Sequence, residues 1–352
     1  MTFQIFWFCL IAVLWGGYFV LEGFDFGVGM LLPFVPRHER DRGVLLDSIG
    51  PVWDGNEVWL VVAAGATFAA FPTWYGAMFS GFYLALLLIL VFLILRVVSF
   101  EWRTKSENPR WRATWLGANV AASVGAPFFW GVALASLLDG VPLNSSGDYT
   151  GNLADLFSAY TVFAGIAVVL LFAFHGATFL TLRTTGELCE RVGRAARKLA
   201  APAATVVGGF VIWTIAVAVD RNDKSVFPPV LPAALAILAL VLAVVFVLGR
   251  RSGWAFAATA LGALLTVATL FTSLYPRVMV SSPNFGNSLT VSNAASSHYA
   301  LVTITVVALI LTPIVLLYQG WTYYVLRARL AGEDVAPPTE ALGRHAGKSA
   351  AG

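Results

Sequence analysis

The chain has 352 residues, of which 59% are hydrophobic and only 12% are charged, and its formal net charge is +3. Soluble globular domains carry about 25% charged residues, so this composition excludes an ordinary soluble protein and predicts that lipid solvates much of the chain. The small net charge gives no indication of a nucleic-acid partner.

Nine windows are apolar and long enough to cross a membrane, which takes about 20 residues. They are residues 5–32, 52–72, 75–99, 112–138, 154–182, 201–219, 228–249, 253–275 and 298–326. The window 52–72 is marginal because its uninterrupted apolar part, Val58–Phe71, is too short to span. We predict an all-α polytopic membrane protein with nine transmembrane helices, arranged as two four-helix bundles plus one helix. Residues 1–330 would form this membrane domain, and residues 331–352 a disordered cytoplasmic tail.

Basic residues are distributed unevenly between the two predicted faces. They follow every odd-numbered span, for example at 37–42, 183–198 and 327–348, whereas the other face has only Arg221, Lys224 and Arg277. Because cytoplasmic loops carry an excess of Lys and Arg, we predict the N-terminus outside and the C-terminus in the cytoplasm. Arg96 lies near the end of a span on the basic side and is assigned to this asymmetry.

Four acidic residues fall within the first two predicted spans. Glu22 and Asp25 are three positions apart in LEGFDFGVG, and Asp54 and Glu57 are three apart in GPVWDGNEVWL. Residues at i and i+3 share a helix face, and both pairs lie toward the predicted cytoplasmic side, so we expect the four carboxyl groups to face one another. An acid in lipid is costly unless it faces protein or water.

Two interpretations of these acids stay open. The functional one is a proton-entry path from the cytoplasm, since a carboxyl group that titrates near neutrality can take up and release protons. The structural one is a set of interfacial acids hydrogen-bonded to Asn56, Trp53 and helix N-termini. Asp54 suits the structural interpretation best, because an acid in a first turn complements the helix dipole. We expect no buried basic residue to pair with the acids.

Five motifs occur in an order that resembles one family. They are GFDFGVG (23–29), GPVWDGNEVWL (50–60), FHGATFLTLRTTGEL (174–188), SSPNFGNSLTVSNAASS (281–297) and YQGWTYYVLR (318–327). Over roughly residues 1–330, the chain resembles subunit II of the cytochrome bd-type quinol oxidase. WDGNEVWL together with GFDFGVG and nine spans is a specific combination.

The resemblance implies a complex of prokaryotic plasma membranes that oxidises ubiquinol or menaquinol, reduces O₂ to water and takes the chemical protons from the cytoplasm without pumping others. It implies that haems b558, b595 and d belong to a partner, subunit I, and that this chain binds no cofactor. The proton-path positions it carries over are Asp25 and Asp54, with Glu57 a weaker member; Glu22 joins them from its spacing alone. A small single-helix accessory subunit and contacts with lipid stay open.

His175 is the only one of the four histidines that lies well within a span. One such residue cannot supply paired axial ligands for several haems. A hydrogen bond that orders the end of the fifth span, beside Gly176 and Thr178, is favoured over metal ligation. The glycines of GFDFGVG have no strand–turn–helix context, which favours helix packing over nucleotide binding.

Two further functions are alternatives to the oxidase subunit. A proton-coupled secondary transporter would also use intramembrane acids, but acids clustered near one surface and the lack of an internal repeat disfavour it. A purely structural scaffold is the second alternative. The polar segment 281–297 is expected to form an outer cap, with its hydroxyls and amides bound either to irregular backbone or to a lipid or quinone tail.

Overall fold

The computed structural model describes residues 2–325 and 328–330, so the predicted tail at 331–352 lies outside the described residues. The described chain forms eleven α-helices and one antiparallel pair of short strands. The helices are α1 (Phe3–Leu31), α2 (Glu39–Ile49), α3 (Trp53–Ala70), α4 (Pro72–Gly81), α5 (Tyr83–Trp102), α6 (Pro109–Asp139), α7 (Ala159–Arg183), α8 (Gly186–Arg221), α9 (Val230–Leu248), α10 (Ser252–Leu274) and α11 (His298–Val325), and the strands are β1 (Arg277–Met279) and β2 (Leu289–Thr290).

Eight helices in the described part of the chain are long and apolar enough to cross a membrane, namely α1 and α5 to α11. The marginal window 52–72 forms α3, which has 18 residues and does not reach that standard. The largely helical structure agrees with the predicted class. The count of nine spans, their division into bundles and their orientation in the membrane remain predictions.

The third predicted window, 75–99, is divided between two helices. α4 ends at Gly81, and Phe82 leaves helical geometry, with φ −92° and ψ 18°, before α5 begins at Tyr83. The ring of Phe82 is fully buried and meets the ring of Tyr149 edge-on, with centroids 5.9 Å apart. Hydropathy could not reveal this break, because the residues on both sides of it are apolar.

The long helices pack in two sets. One contains α1, α3, α5 and α6, and the other contains α7 to α10, in which α10 returns to contact α7. α1 joins the sets through contacts with α7 and α10, and α6 joins them through contacts with α7. α11 lies at the edge against α3 and α1. Because α1 takes part in both sets, its side chains are among the most deeply buried of the described residues.

Two glycines let α1 and α7 approach backbone to backbone. A Cβ at Gly27 would lie 2.8 Å from the backbone nitrogen of Gly176, and a Cβ at Gly176 would lie 2.7 Å from the backbone nitrogen of Val28. No side-chain carbon fits at such distances, so both positions require glycine. The GFDFGVG segment therefore contributes to helix packing. This contact fixes the position of Asp25 along the axis of α1 relative to α7.

The polar segment 281–297 packs on the loop after α6 at the end of the bundle opposite to α2. The backbone N–H of Ser282 donates to the carbonyl of Val141 at 3.0 Å, and Nδ2 of Asn287 donates to the carbonyl of Leu143 at 3.1 Å. These polar groups therefore bind irregular backbone, in accordance with the structural alternative for this segment.

Candidate functional site

Two carboxyl groups lie fully buried in the C-terminal half of α1. The side chains of Glu22 and Asp25 are both 0% exposed. Since α1 ends at Leu31, Asp25 lies roughly 9 Å and Glu22 roughly 14 Å from that end of the helix. A buried carboxylate is tolerated only with suitable partners, so the groups around these two acids decide what they can do.

Arg96 of α5 supplies a counter-charge to these acids. Its Nη1 donates to Oε1 of Glu22, and its guanidinium lies over the ring of Phe26, with Cζ 4.4 Å from the ring centroid. Arg96 is itself 0% exposed. The expectation that no buried basic residue pairs with the acids is therefore wrong. A lone charge in lipid is costly, so Arg96 and Glu22 make each other's burial possible.

Asp25 is connected to two further helices through Asn56 of α3. Oδ2 of Asp25 accepts a hydrogen bond from Nδ2 of Asn56 at 2.7 Å. Oδ1 of Asn56 accepts from the Tyr323 hydroxyl at 2.7 Å and from Nε2 of Gln319 at 3.3 Å, both on α11. The side-chain amide of Asn56 thus links α1, α3 and α11 around one carboxyl group.

The buried cluster of Glu22, Asp25 and Arg96 retains unused hydrogen-bonding atoms. Oε2 of Glu22, Oδ1 of Asp25, and Nε and Nη2 of Arg96 are buried and have no hydrogen-bond partner among the described residues. Most buried polar atoms in native proteins are paired. Four unused atoms at one place therefore distinguish this cluster from a closed structural ion pair.

The two acids of α3 occupy different environments. Asp54 is exposed in the first turn of the helix and lies outside the buried cluster. Glu57, one turn deeper, is half-buried and close enough to Arg96 to interact with it electrostatically. The expectation that all four acids face one another is therefore corrected: Glu22 and Asp25 are brought together, Glu57 lies at the margin, and Asp54 lies at the surface.

Three residues of the site were not recognised in the sequence. The positive-inside pattern places Arg96 with the basic residues of the predicted cytoplasmic face. A single cation inside the apolar run of α5 is the signal that could have identified it as the partner of a buried acid. Gln319 and Tyr323 are separated by one helical turn on α11. Two polar side chains on one face of an apolar helix indicate a polar neighbour, which here is Asn56.

His175 forms hydrogen bonds within the bundle through both ring nitrogens. Nε2 donates to the carbonyl of Val20 at 3.0 Å, so Nδ1 accepts from the hydroxyl of Thr259 at 2.7 Å. The imidazole also stacks on Phe256, with centroids 4.8 Å apart. With neither nitrogen free, His175 does not fit the role of an axial haem ligand. Its bonds order the contact of α7 with α1 and α10, a wider role than the local one expected beside Gly176 and Thr178.

Known proteins similar to this chain agree with the resemblance seen in the motifs. The sequence profile of the family described as cytochrome bd terminal oxidase subunit II matches residues 3–326. Cytochrome bd ubiquinol oxidase subunit 2 of Bacillus subtilis (strain 168) is 40% identical over 328 residues, covering 93% of this chain and 97% of that protein. Cytochrome bd-I ubiquinol oxidase subunit 2 of Escherichia coli (strain K12) is 36% identical over 369 residues, covering 96% of this chain and 97% of that protein.

A solved structure shows the same fold. A chain of the bd oxidase from Geobacillus thermodenitrificans aligns with a TM-score of 0.70 at 20% identity, covering 93% of this chain and 98% of that chain. The structural likeness, at 20% identity, shows a shared fold. The profile match and the sequence identity to the Bacillus and Escherichia proteins also show a shared family. This chain is therefore a multi-pass protein of a prokaryotic membrane and belongs to the cytochrome bd terminal oxidase subunit II family.

Proposed function

We propose that this chain is the haem-free subunit of its quinol oxidase and that its buried cluster forms part of the path that takes up protons from the cytoplasm. As subunit II of a cytochrome bd oxidase, it belongs to an oxidoreductase complex and has subunit I as its partner. Quinol oxidation and the reduction of O₂ to water take place, in this proposal, on subunit I, which carries haems b558, b595 and d. This chain braces subunit I in the membrane of the cell.

The observation that carries the proposal is the full burial of Asp25 beside donors and unused polar atoms. A group that conducts protons must be stable both with and without its proton. The Asn56 amide donates to one oxygen of Asp25, which favours the ionised form, while the other oxygen is free to hold a proton. Arg96, which is fully buried and paired with Glu22 in the same cluster, places a positive charge close to this carboxyl group.

The order of burial among the acids supports a direction for the path. Asp54 is exposed at the start of α3, Glu57 is half-buried one turn further, and Asp25 and Glu22 are fully buried. The same end of the bundle carries the basic segments, which is the predicted cytoplasmic side. A proton entering at Asp54 would pass Glu57 and reach the Asp25 carboxyl group with steadily less contact with solvent.

The environment of His175 supports the haem-free part of the proposal. Both of its ring nitrogens are bound to groups of the bundle, as described above. Haem supplies electron transfer and O₂ reduction to the complex when it is bound. The residues of this chain are suited to a different task, which is to hold and pass protons at the carboxyl oxygens of Asp25 and Glu22.

The two alternative functions are not equally supported. The transporter alternative depended on intramembrane acids alone, and the family match gives it no support. A purely structural role is the competing interpretation of the acids, because buried ion pairs also occur without function. The two roles make opposite predictions for a variant in which Asp25 keeps its shape and loses its charge.

Asp25→Asn in the complex with subunit I is the decisive variant. Asparagine has the size of aspartate but cannot exchange a proton, so we expect quinol-dependent O₂ consumption to fall at least about tenfold. The haem absorption spectrum should stay unchanged. Asp220→Asn, an exposed acid at the far end of α8, is the matched control and should keep the rate of the unmodified complex. Asp54→Asn should have a smaller effect than Asp25→Asn, because solvent can replace an exposed proton donor.

Two results would contradict the proposal. Unchanged O₂ consumption by a fully haem-loaded Asp25→Asn complex would leave Asp25 with a structural role only. A haem spectrum from this chain purified without subunit I would show that it binds haem itself.

A further inference from the structure

A basic cavity lies at the ends of α7 to α10, apart from the buried cluster. It encloses about 560 Å³ between the last turn of α7, the first turns of α8, the turn from α9 to α10, and the segment after α11. The cavity is lined by five arginines and one acid, which are Arg194, Arg197, Arg250, Arg251, Arg329 and Glu190. We call this site the basic cavity.

The five guanidinium groups form no ion pair in the part of the chain that the structure describes, residues 2–325 and 328–330. Arg191, one turn before Arg194, behaves differently: its Nη2 donates to Oδ2 of Asp41 at 2.6 Å. Like charges that gather in a concave site without counter-charges produce a positive potential that attracts anions. The single carboxylate of Glu190 cannot neutralise five cations.

Two helix N-termini open onto the same cavity. Thr185 and Arg251 are the capping residues of α8 and α10, and neither side chain makes a capping hydrogen bond. Both residues, with Gly186 and Ser252, line the basic cavity. The first N–H groups of a helix carry partial positive charge and bind anions well. The backbone therefore adds to the positive charge of the arginines at the same place.

The basic cavity lies at the boundary between lipid and water. Leu248, at the end of α9, is 62% exposed, and Trp254, in the first turn of α10, is 66% exposed. An exposed leucine and tryptophan beside Arg250 and Arg251 are typical of a helix end at the membrane interface. A lipid could place its charged head group in the cavity and keep its acyl chains against these apolar side chains.

Membrane topology alone explains why basic residues are frequent on this face. It does not require that they line one cavity, that they lack acidic partners among the described residues, or that two helix N-termini without side-chain caps open onto the same place. We propose that the basic cavity binds a phosphate-bearing anion, presented either by an anionic lipid head group or by a free phosphate compound. This site is independent of the proton path and does not rest on it.

Two double variants test the site from opposite walls. Arg194→Gln/Arg197→Gln changes the α8 wall, and Arg250→Gln/Arg251→Gln changes the turn between α9 and α10. If one of them fails to assemble, the other still gives the answer. The matched control is Arg37→Gln/Arg40→Gln, which removes two exposed arginines from the same end of the bundle outside the cavity. Each protein is purified with subunit I, and its haem content is used to verify assembly.

Binding is measured by native mass spectrometry on complexes freed of lipid in a neutral detergent. The probes are phosphatidylglycerol, phosphatidylcholine and inorganic pyrophosphate. We expect the unmodified complex and the control to bind an anionic probe at one saturable site, and both cavity variants to bind it roughly tenfold or more weakly. A site that takes only phosphatidylglycerol identifies a lipid head group, and a site that also takes pyrophosphate identifies a free phosphate compound. Phosphatidylcholine, which has no net charge, should bind poorly to every protein.

A conservative variant separates charge from shape. Arg250→Lys/Arg251→Lys keeps both charges and should retain affinity within a few-fold of the unmodified complex. Equal affinity of the unmodified complex and both cavity variants for the anionic probes would overturn the proposal. So would the absence of a saturable site, or an equal loss in the Arg37→Gln/Arg40→Gln control, since the effect would then belong to surface charge in general.

Discussion

The buried cluster and the basic cavity both concentrate charge near one end of the helix bundle, but in opposite ways. In the cluster, Glu22, Asp25 and Arg96 are fully buried, and the cation is paired with an acid. In the cavity, the arginines are exposed or half-exposed and have no acidic partner among the described residues. A charge in lipid must find a partner in the protein, because nothing else there can solvate it. At the water boundary, solvent and ions screen like charges, so they can gather and stay available to a ligand.

Neutralising one member of the buried pair should have the largest effect. Glu22→Gln leaves Arg96 buried without its acid, and such a loss costs about 3–5 kcal/mol. We expect the purified complex to lose much of its thermal stability, measured as the midpoint of unfolding. Glu22→Gln/Arg96→Gln removes both charges and should recover a large part of that loss.

The double variant also identifies the main partner of Arg96. Asp25 interacts electrostatically with the same guanidinium. A double variant no more stable than Glu22→Gln would show that Asp25, and not Glu22, is its principal counter-charge. The contrast between the cluster, where each charge has its partner, and the cavity, whose arginines have no acidic partner among the described residues, would then have to be redrawn.

A smaller effect is expected from the polar link that ties the cluster to α11. Tyr323→Phe removes the hydroxyl that donates to Oδ1 of Asn56 at 2.7 Å and leaves only the longer bond from Gln319. A lost hydrogen bond of this kind costs about 0.5–1.5 kcal/mol. Tyr299→Phe, at an 81% exposed position of the same helix, is the control and should leave the thermal midpoint unchanged. Equal midpoints for the two variants would show that the link does not stabilise the contact of α11 with α3.

The smallest effect is expected in the basic cavity, and it should have the opposite sign. With lipid removed and at low ionic strength, Arg250→Gln/Arg251→Gln relieves repulsion between like charges and should raise the thermal midpoint by about 1 °C. The difference should vanish at about 1 M salt, where the Debye length falls to about 3 Å. A fall in the midpoint at low salt would mean that these arginines make stabilising contacts within the protein. It would count against the proposal that they are available to bind an anion.

The sequence by itself determined the class of this protein, the positions of most of its membrane helices and its family. A helix that crosses lipid needs a long apolar window, and such windows can be identified directly from the amino-acid sequence. It also indicated that Glu22 and Asp25 are exceptional, since acids rarely occur within such windows. The Gly27 contact with α7 followed the packing role expected for the GFDFGVG glycines.

Only the tertiary structure decided which groups surround the acids. Arg96 is 74 positions from Glu22, and whether the two meet depends on how α5 is rotated against α1. The same is true of the link from Asn56 to Tyr323 and of the arginines that converge from α8 and from the turn between α9 and α10. The break at Phe82 was hidden as well, because hydropathy records how apolar a residue is and not how its backbone turns. The hydropathy of a segment depends only on its own residues. The pairing of buried charges depends on the mutual orientation of helices that are distant in sequence.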